Sequence, residues 1–375
     1  MSNESARPYI GGQALIEGVM MRSPGSVSMV CRRRGGELLV RELPMLERPS
    51  GPRTLPFLRG VVTVVESLRL GSRALRWSAE LFEQDLRDEE EAGAPRRHQP
   101  PGIASMLALS ITALATQPDA GPDPGTSGLP EDADKKGGGL LGLLPIFFAI
   151  ALFVALPQAG AEGINRLFHL GLPITSPAYQ AITGAAKLAI IVGYMLLIRR
   201  IPEVRRVFQY HGAEHKTITT YEAQEELVVE NARPKTTAHA RCGTTFLVMV
   251  ALVSILVFSA LGAFLPHVPG GRLAESVGFF LMKLPFLPVI AAVTYEIQRV
   301  FARYCSTGPL RALLWPGFLV QKITTAEPDD AQLEVALASL RATLWREAAL
   351  TAPAPADRTF SGYGELLADP GYARG

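Results

Sequence analysis

Two imidazoles four residues apart, His211 and His215, flank a carboxylate, Glu214, in the run Tyr210-His211-Gly212-Ala213-Glu214-His215-Lys216-Thr217. Residues i and i+4 share a helix face, so both rings can hold one ion while the carboxylate takes a proton from water. The order is H-x-x-E-H, an arrangement used by one class of zinc hydrolases. The chain has six histidines in 375 residues, so composition alone does not generate the pattern. The competing reading is a structural hydrogen-bond network in which Glu214 pairs with Lys216 or Arg241.

The ring pair needs a helix beneath it and a third ligand beside it. Pro202 suits the first turn of a helix, and the residues after it favour continuation to about Gln224. Glu222 lies on the same face as His215 but about 10 Å further along, too far to share an ion on a straight helix. His239 and Cys242 precede the next apolar run and are both good zinc ligands. Glu296, well downstream, is a further carboxylate candidate by analogy with inverse zincins. The expected order of preference is His239, then Glu296, then Cys242.

A membrane is expected to surround these elements. Residues 140–159 and 244–265 are uncharged apolar runs long enough to cross about 30 Å of hydrocarbon. Residues 178–198 form a third expected span despite Lys187. Residues 273–295 form a fourth despite Glu275, Lys283 and two prolines. Residues 103–115 are apolar but short, which suits an interfacial piece. Lys187 and Lys283 fall mid-span, where charge is costly and faces a protein interior or snorkels outwards.

Loop charge orients the spans. Residues 199–243 carry eight Lys or Arg, whereas loops 160–177 and 266–272 carry one each, Arg166 and Arg272. Both termini and the H-x-x-E-H segment are therefore expected in the cytoplasm of a bacterial inner membrane. Cys31, Cys242 and Cys305 would then sit on the reducing side, without disulfides. The amino terminus shows no signal-peptide pattern, so insertion is expected to rely on the internal spans. A net charge of +2 and the lack of any nucleic-acid motif argue against nucleic acid as the main partner.

The expected fold is thus mainly α and membrane-embedded, with about four transmembrane helices and a small cytoplasmic α+β amino-terminal part. Residues 27–42 read as a β-hairpin around Gly35-Gly36, and a long amphipathic helix runs from about Leu55 to Glu91. Gly11, Gly12 and Gly18 do not have phosphate-loop spacing, and Ile10–Arg22 reads as a tight turn with Glu17 as an ion-pair partner or site residue. Residues 116–139 form a Pro-, Gly- and Asp-rich linker. Pro328-Asp329-Asp330 opens a carboxy-terminal amphipathic helix through Leu333, Leu337, Leu340 and Leu344. The tail from residue 351, rich in Ala, Pro and Gly, is expected to be disordered.

Ile10 to Arg22, Tyr210 to Thr217, His239-Ala240-Arg241-Cys242-Gly243-Thr244 and Thr324-Thr325-Ala326-Glu327-Pro328 together resemble the YqhQ-like family of bacterial membrane proteins. The resemblance covers about residues 9–346. The family has no assigned function and is often described as metal-dependent enzymes, a label that rests largely on the histidine motif. The chain departs from the family picture at the 116–139 linker and at Ala240, where Pro is expected.

Two function classes follow. In the first, His211, His215 and a third ligand hold zinc or another divalent metal, and Glu214 is the general base of a hydrolase acting on a protein or lipid substrate at the membrane. In the second, the chain is a non-catalytic membrane scaffold or assembly factor whose motif is structural. A transporter is a more distant third, suggested by Lys187, Lys283 and the Pro-interrupted span. The lipid bilayer is the expected partner in every case, and a homo-oligomer is compatible with all of them.

Overall fold

The computed structural model describes residues 7–45, 55–92, 152, 155–266, 268–304, 309–350 and 356–373. Strands β1 (Gly11–Leu15), β2 (Gly18–Arg22), β3 (Ser26–Arg32) and β4 (Leu38–Pro44) form an antiparallel meander. Only Ile16 and Glu17 separate the paired residues Leu15 and Gly18, and Glu17 takes a left-handed φ of 52° to close so short a turn. Its carboxylate is held by Arg206 through two contacts of 2.5 Å and by the Tyr210 hydroxyl at 3.2 Å. Of the two roles expected for Glu17, the structure shows the ion pair.

Helix α1 (Leu58–Glu91) is followed by α2 (Leu156–Leu167), α3 (Pro177–Ile198), α4 (Pro202–Glu222), α5 (Val229–Ala232), α6 (Gly243–Leu261), α7 (Gly271–Lys283) and α8 (Phe286–Tyr304). Next come α9 (Trp315–Thr324), α10 (Asp330–Ala348), β5 (Arg358–Phe360) and α11 (Tyr363–Ala368). Strand β5 pairs with β4 and completes a five-stranded sheet, so the amino-terminal part is larger than one hairpin.

Alternation along the strands sends side chains to two cores. Leu15, Met20, Val27, Met29 and Cys31 pack with Leu70, Ala74 and Trp77 of α1. Ala14, Val19, Met21, Val30, Leu38 and Val40 join the α4 residues Val204, Val207 and Phe208 and the α10 residues Leu333, Leu337 and Leu340. Because both faces are covered, the sheet carries apolar residues on both sides.

A capping box starts α10: Asp329 accepts from Gln332 N at 2.8 Å, and Gln332 Oε1 accepts from Asp329 N at 3.0 Å. Expected as an amphipathic helix, α10 is instead buried around most of its circumference. Its polar groups bond inward: Ser339 Oγ donates to Ser28 O, and Thr343 Oγ1 donates to Met21 O. Truncating Leu337, which is fully buried, to Ala should cost about 2–5 kcal/mol. Residues 356–373 also depart from the expected disorder. Phe360 and Tyr372 are buried in this core, because two aromatic rings give an otherwise weakly apolar tail enough surface to dock.

Among the described residues, α3 and α6 are long and apolar enough to cross a membrane. Helices α7 and α8 add a third span if the pair, bent by 49°, is counted as one. Two to three spans are therefore seen among the described residues, where the whole sequence led to an expectation of four. Most of 140–159 lies outside the described residues, its last residues opening α2, and both 103–115 and the 116–139 linker lie wholly outside them. Pro285 stands at the break between α7 and α8, where it cannot continue the helical bonding. Lys283 ends α7, donates to Gln180 Oε1 at 2.7 Å and lies over the Phe258 and Phe279 rings.

Candidate metal centre

Helix α4 begins with Pro202 in its first turn and carries His211 and His215 one turn apart on a single face. Their ring centroids are 4.4 Å apart. Cys242 meets them from outside the helix: His211 Nε2, His215 and Cys242 Sγ offer ligand atoms that all lie within 4.8 Å of one another. The His211 Nε2 to Cys242 Sγ distance is 3.2 Å, and all three residues are buried.

Each histidine is oriented by a backbone carbonyl. His211 Nδ1 lies 2.9 Å from Thr324 O at the end of α9, and His215 Nδ1 lies 2.5 Å from Thr237 O in the segment before α6. A carbonyl oxygen only accepts, so Nδ1 carries the hydrogen in both rings. In a neutral imidazole so bonded the lone pair is on Nε2, the atom of His211 that faces Cys242. Burial, followed by the neighbouring His211 and His239, holds His215 well below the usual imidazole range and keeps it neutral. Its buried Nε2 has no hydrogen-bond partner among the described residues.

Cys242 is the N-cap of the apolar helix α6. Its sulfur faces the Thr244 amide at 3.5 Å and hydroxyl at 3.2 Å. The positive end of the α6 dipole and these donors supply the surroundings that a thiolate ligand needs.

Two glycines admit the arrangement. A Cβ on Gly212 would stand 2.2 Å from Ala326 O, so only glycine lets α4 lie against the strand-like residues after α9, where Ala326 N donates to Phe208 O at 2.9 Å. A Cβ on Gly12 would stand 2.7 Å from Glu214 Cγ, so β1 yields space for the buried Glu214 side chain. Lys216 donates to Arg233 O at 2.7 Å and pairs with Glu327, while Arg241 pairs with Glu222.

The other expected ligands are placed differently. His239 is close by, its ring 5.6 Å from that of His215, with Nε2 at 3.3 Å from Glu222 Oε2. Glu296 is held between α8 and α1, where Arg59 grips it at 2.5 and 2.7 Å and Phe57 N donates at 3.3 Å. Its commitment to Arg59 takes it out of the cluster. Cys242, ranked third from the sequence, is the residue whose ligand atom joins the two histidines.

The model of a family described as a protein of unknown function, DUF1385, matches residues 55–346. The chain belongs to this family. It is also 28% identical over 350 residues to the uncharacterized protein YqhQ of Bacillus subtilis (strain 168), an alignment that covers 93% of this chain and 96% of the relative. No solved structure matches it. The family match takes in α4, Thr237, Cys242 and Thr324, and so spans the whole cluster.

The donor set suits a zinc-type ion. Tetrahedral coordination with bonds of about 2.0–2.3 Å puts neighbouring donor atoms roughly 3.4–3.6 Å apart, close to the 3.2 Å between His211 Nε2 and Cys242 Sγ. The unpartnered His215 Nε2 is the position such an ion would satisfy. Sequence reasoning missed the orienting carbonyls of Thr237 and Thr324, because a backbone oxygen leaves no residue-type signature. The one available signal was the Thr324–Pro328 motif, which had no role until Thr324 O and Ala326 were found against α4.

Proposed function

We propose that His211, His215 and Cys242 are the protein ligands of a zinc or similar divalent ion, and that the protein is a metal-dependent hydrolase working at the cytoplasmic face of the bacterial inner membrane. The observation that carries the metal assignment is the pair of carbonyls, Thr324 O and Thr237 O, which fix both imidazoles with Nε2 available as donor. Three protein ligands leave one tetrahedral position for substrate or water, as in catalytic zinc sites. When bound, such an ion supplies Lewis acidity towards a carbonyl, ester or water. Glu214, next to His215 and enclosed against Gly12, is the group assigned to accept the proton. The eight basic residues of 199–243 support the cytoplasmic assignment.

A second reading, a non-catalytic scaffold, is favoured by one observation. The ligands join α4, the start of α6 and, through Thr324 O, the end of α9, so a filled site would clamp three elements. Glu214→Gln separates the two. In a hydrolase, purified Glu214→Gln keeps its metal and melting temperature while complementation of a deletion strain fails. Full complementation by the metal-loaded variant would transfer the site to the scaffold reading. Unchanged metal content in a His211→Ala/His215→Ala double variant would remove the metal from both.

A further inference from the structure

At the opposite end of the apolar helices from the histidine cluster, α2 and α7 flank an open cavity of about 580 Å³, within the size range of small-molecule sites. Its walls are mostly apolar, with Ala159 and Gly163 from α2 and Val277 and Phe280 from α7. Its rim is charged. Arg166 and Arg272, the single basic residues of the two connecting loops on this side, both converge on Glu162. Arg166 Nε lies 2.7 Å from Glu162 Oε1, and Arg272 Nε lies 2.8 and 2.9 Å from its two oxygens. Both guanidinium groups share this carboxylate, and Glu275 lies one turn further along α7. Arg166 uses only Nε in its described bonds, and its side chain is 72% exposed.

From Arg166 back to Ala155, the innermost lining residue, α2 rises about 16 Å, close to the roughly 15 Å thickness of one hydrocarbon leaflet. An apolar slot one leaflet deep, with the exposed guanidinium of Arg166 at its rim, matches a molecule with a fatty chain and an anionic head. We propose that this cavity binds a phospholipid with an anionic headgroup, its phosphate on Arg166 and Arg272 and an acyl chain between α2 and α7. A guanidinium fork suits a phosphate through paired N–H donors. The Gln158 Nε2 to Ser276 O bond, at 3.0 Å, holds the two helices at the slot.

Gly163 lines the slot and a Cβ there meets nothing within 4 Å, so Gly163→Leu places a branched side chain in the slot. Delipidated full-length protein in neutral detergent is titrated with phosphatidylglycerol, with phosphatidylcholine of the same chains, and with inorganic phosphate. Binding is read by native mass spectrometry and melting temperature. Phosphatidylglycerol should bind and raise the melting temperature, about tenfold more tightly than phosphatidylcholine. Arg166→Gln should lose most of that preference, and Gly163→Leu should lose binding while melting no lower than wild type without lipid. Equal binding of the two lipids, full competition by inorganic phosphate alone, or unchanged binding to Gly163→Leu would each overturn the proposal.

Discussion

The two ends of the apolar helices are built on opposite plans. At one end, His211, His215 and Cys242 are buried, backbone carbonyls fix both rings, and glycines bring α4 into contact with its neighbours. At the other, Arg166 stands largely in the open, and Gly163 faces empty space. Polar groups that must hold one geometry are packed in and bonded to the main chain. Those at the open end stay reachable from outside.

Alanine at one glycine from each end gives the widest separation. Gly212→Ala forces a methyl to 2.2 Å from Ala326 O and should destabilise by more than about 3 kcal/mol, seen as a large fall in melting temperature or loss of folded protein. Gly163→Ala, in an open helical position, should stabilise by up to about 1 kcal/mol through helix propensity. Equal effects at the two positions would erase the contrast.

Metal removal is the next largest effect. A site filled at about a hundred times its dissociation constant contributes about 2.7 kcal/mol, so chelation should lower the melting temperature of wild-type protein. Cys242→Ala should start lower and respond little to the same chelator. An equal chelator response in both proteins would disconnect Cys242 from the ion.

The smallest expected effect lies in the sheet, at Glu42. Burial pushes its carboxyl above the usual range, although the Tyr372 hydroxyl donates to it. A raised folded value means the unfolded chain ionises first, so this contribution is fullest below about pH 4.5 and is lost as pH rises through the folded value. Glu42→Gln should therefore flatten stability against pH above 4.5 and match or exceed wild type at pH 7, by about 1 kcal/mol or less. A loss of stability at pH 7 would show that the charged form is the favoured one.

Much of the packed end could be read from residue order. Pro202 marked the start of α4, Asp329 capped α10, and Gly35-Gly36 lay between β3 and β4. The i, i+4 histidines gave half of the site because helix geometry is local. The third ligand was harder to read. His239, Cys242 and Glu296 all seemed reachable from the chain's order, and only the Arg59 ion pair and the capping position at α6 separate them. The long-range core was hidden for a similar reason. Leucine spacing in α10 marks one apolar stripe, but cannot show that Ser339 and Thr343 on other faces bond to strand carbonyls. In the tail, Ala, Pro and Gly outweighed Phe360 and Tyr372 until β4 supplied an edge for pairing.

The burial of α10 also sets a timetable. Ser26 bonds to the carbonyl of Thr343, 317 residues later, and Thr324 O, which orients His211, precedes α10 by only a few residues. During synthesis the sheet therefore leaves the ribosome long before the helix that covers it, and waits while the apolar helices are made. The histidine face of α4 is likewise incomplete until α9 arrives. The cluster of His211, His215 and Cys242 is thus a late product of translation, completed only on a chain whose apolar helices have already been synthesised.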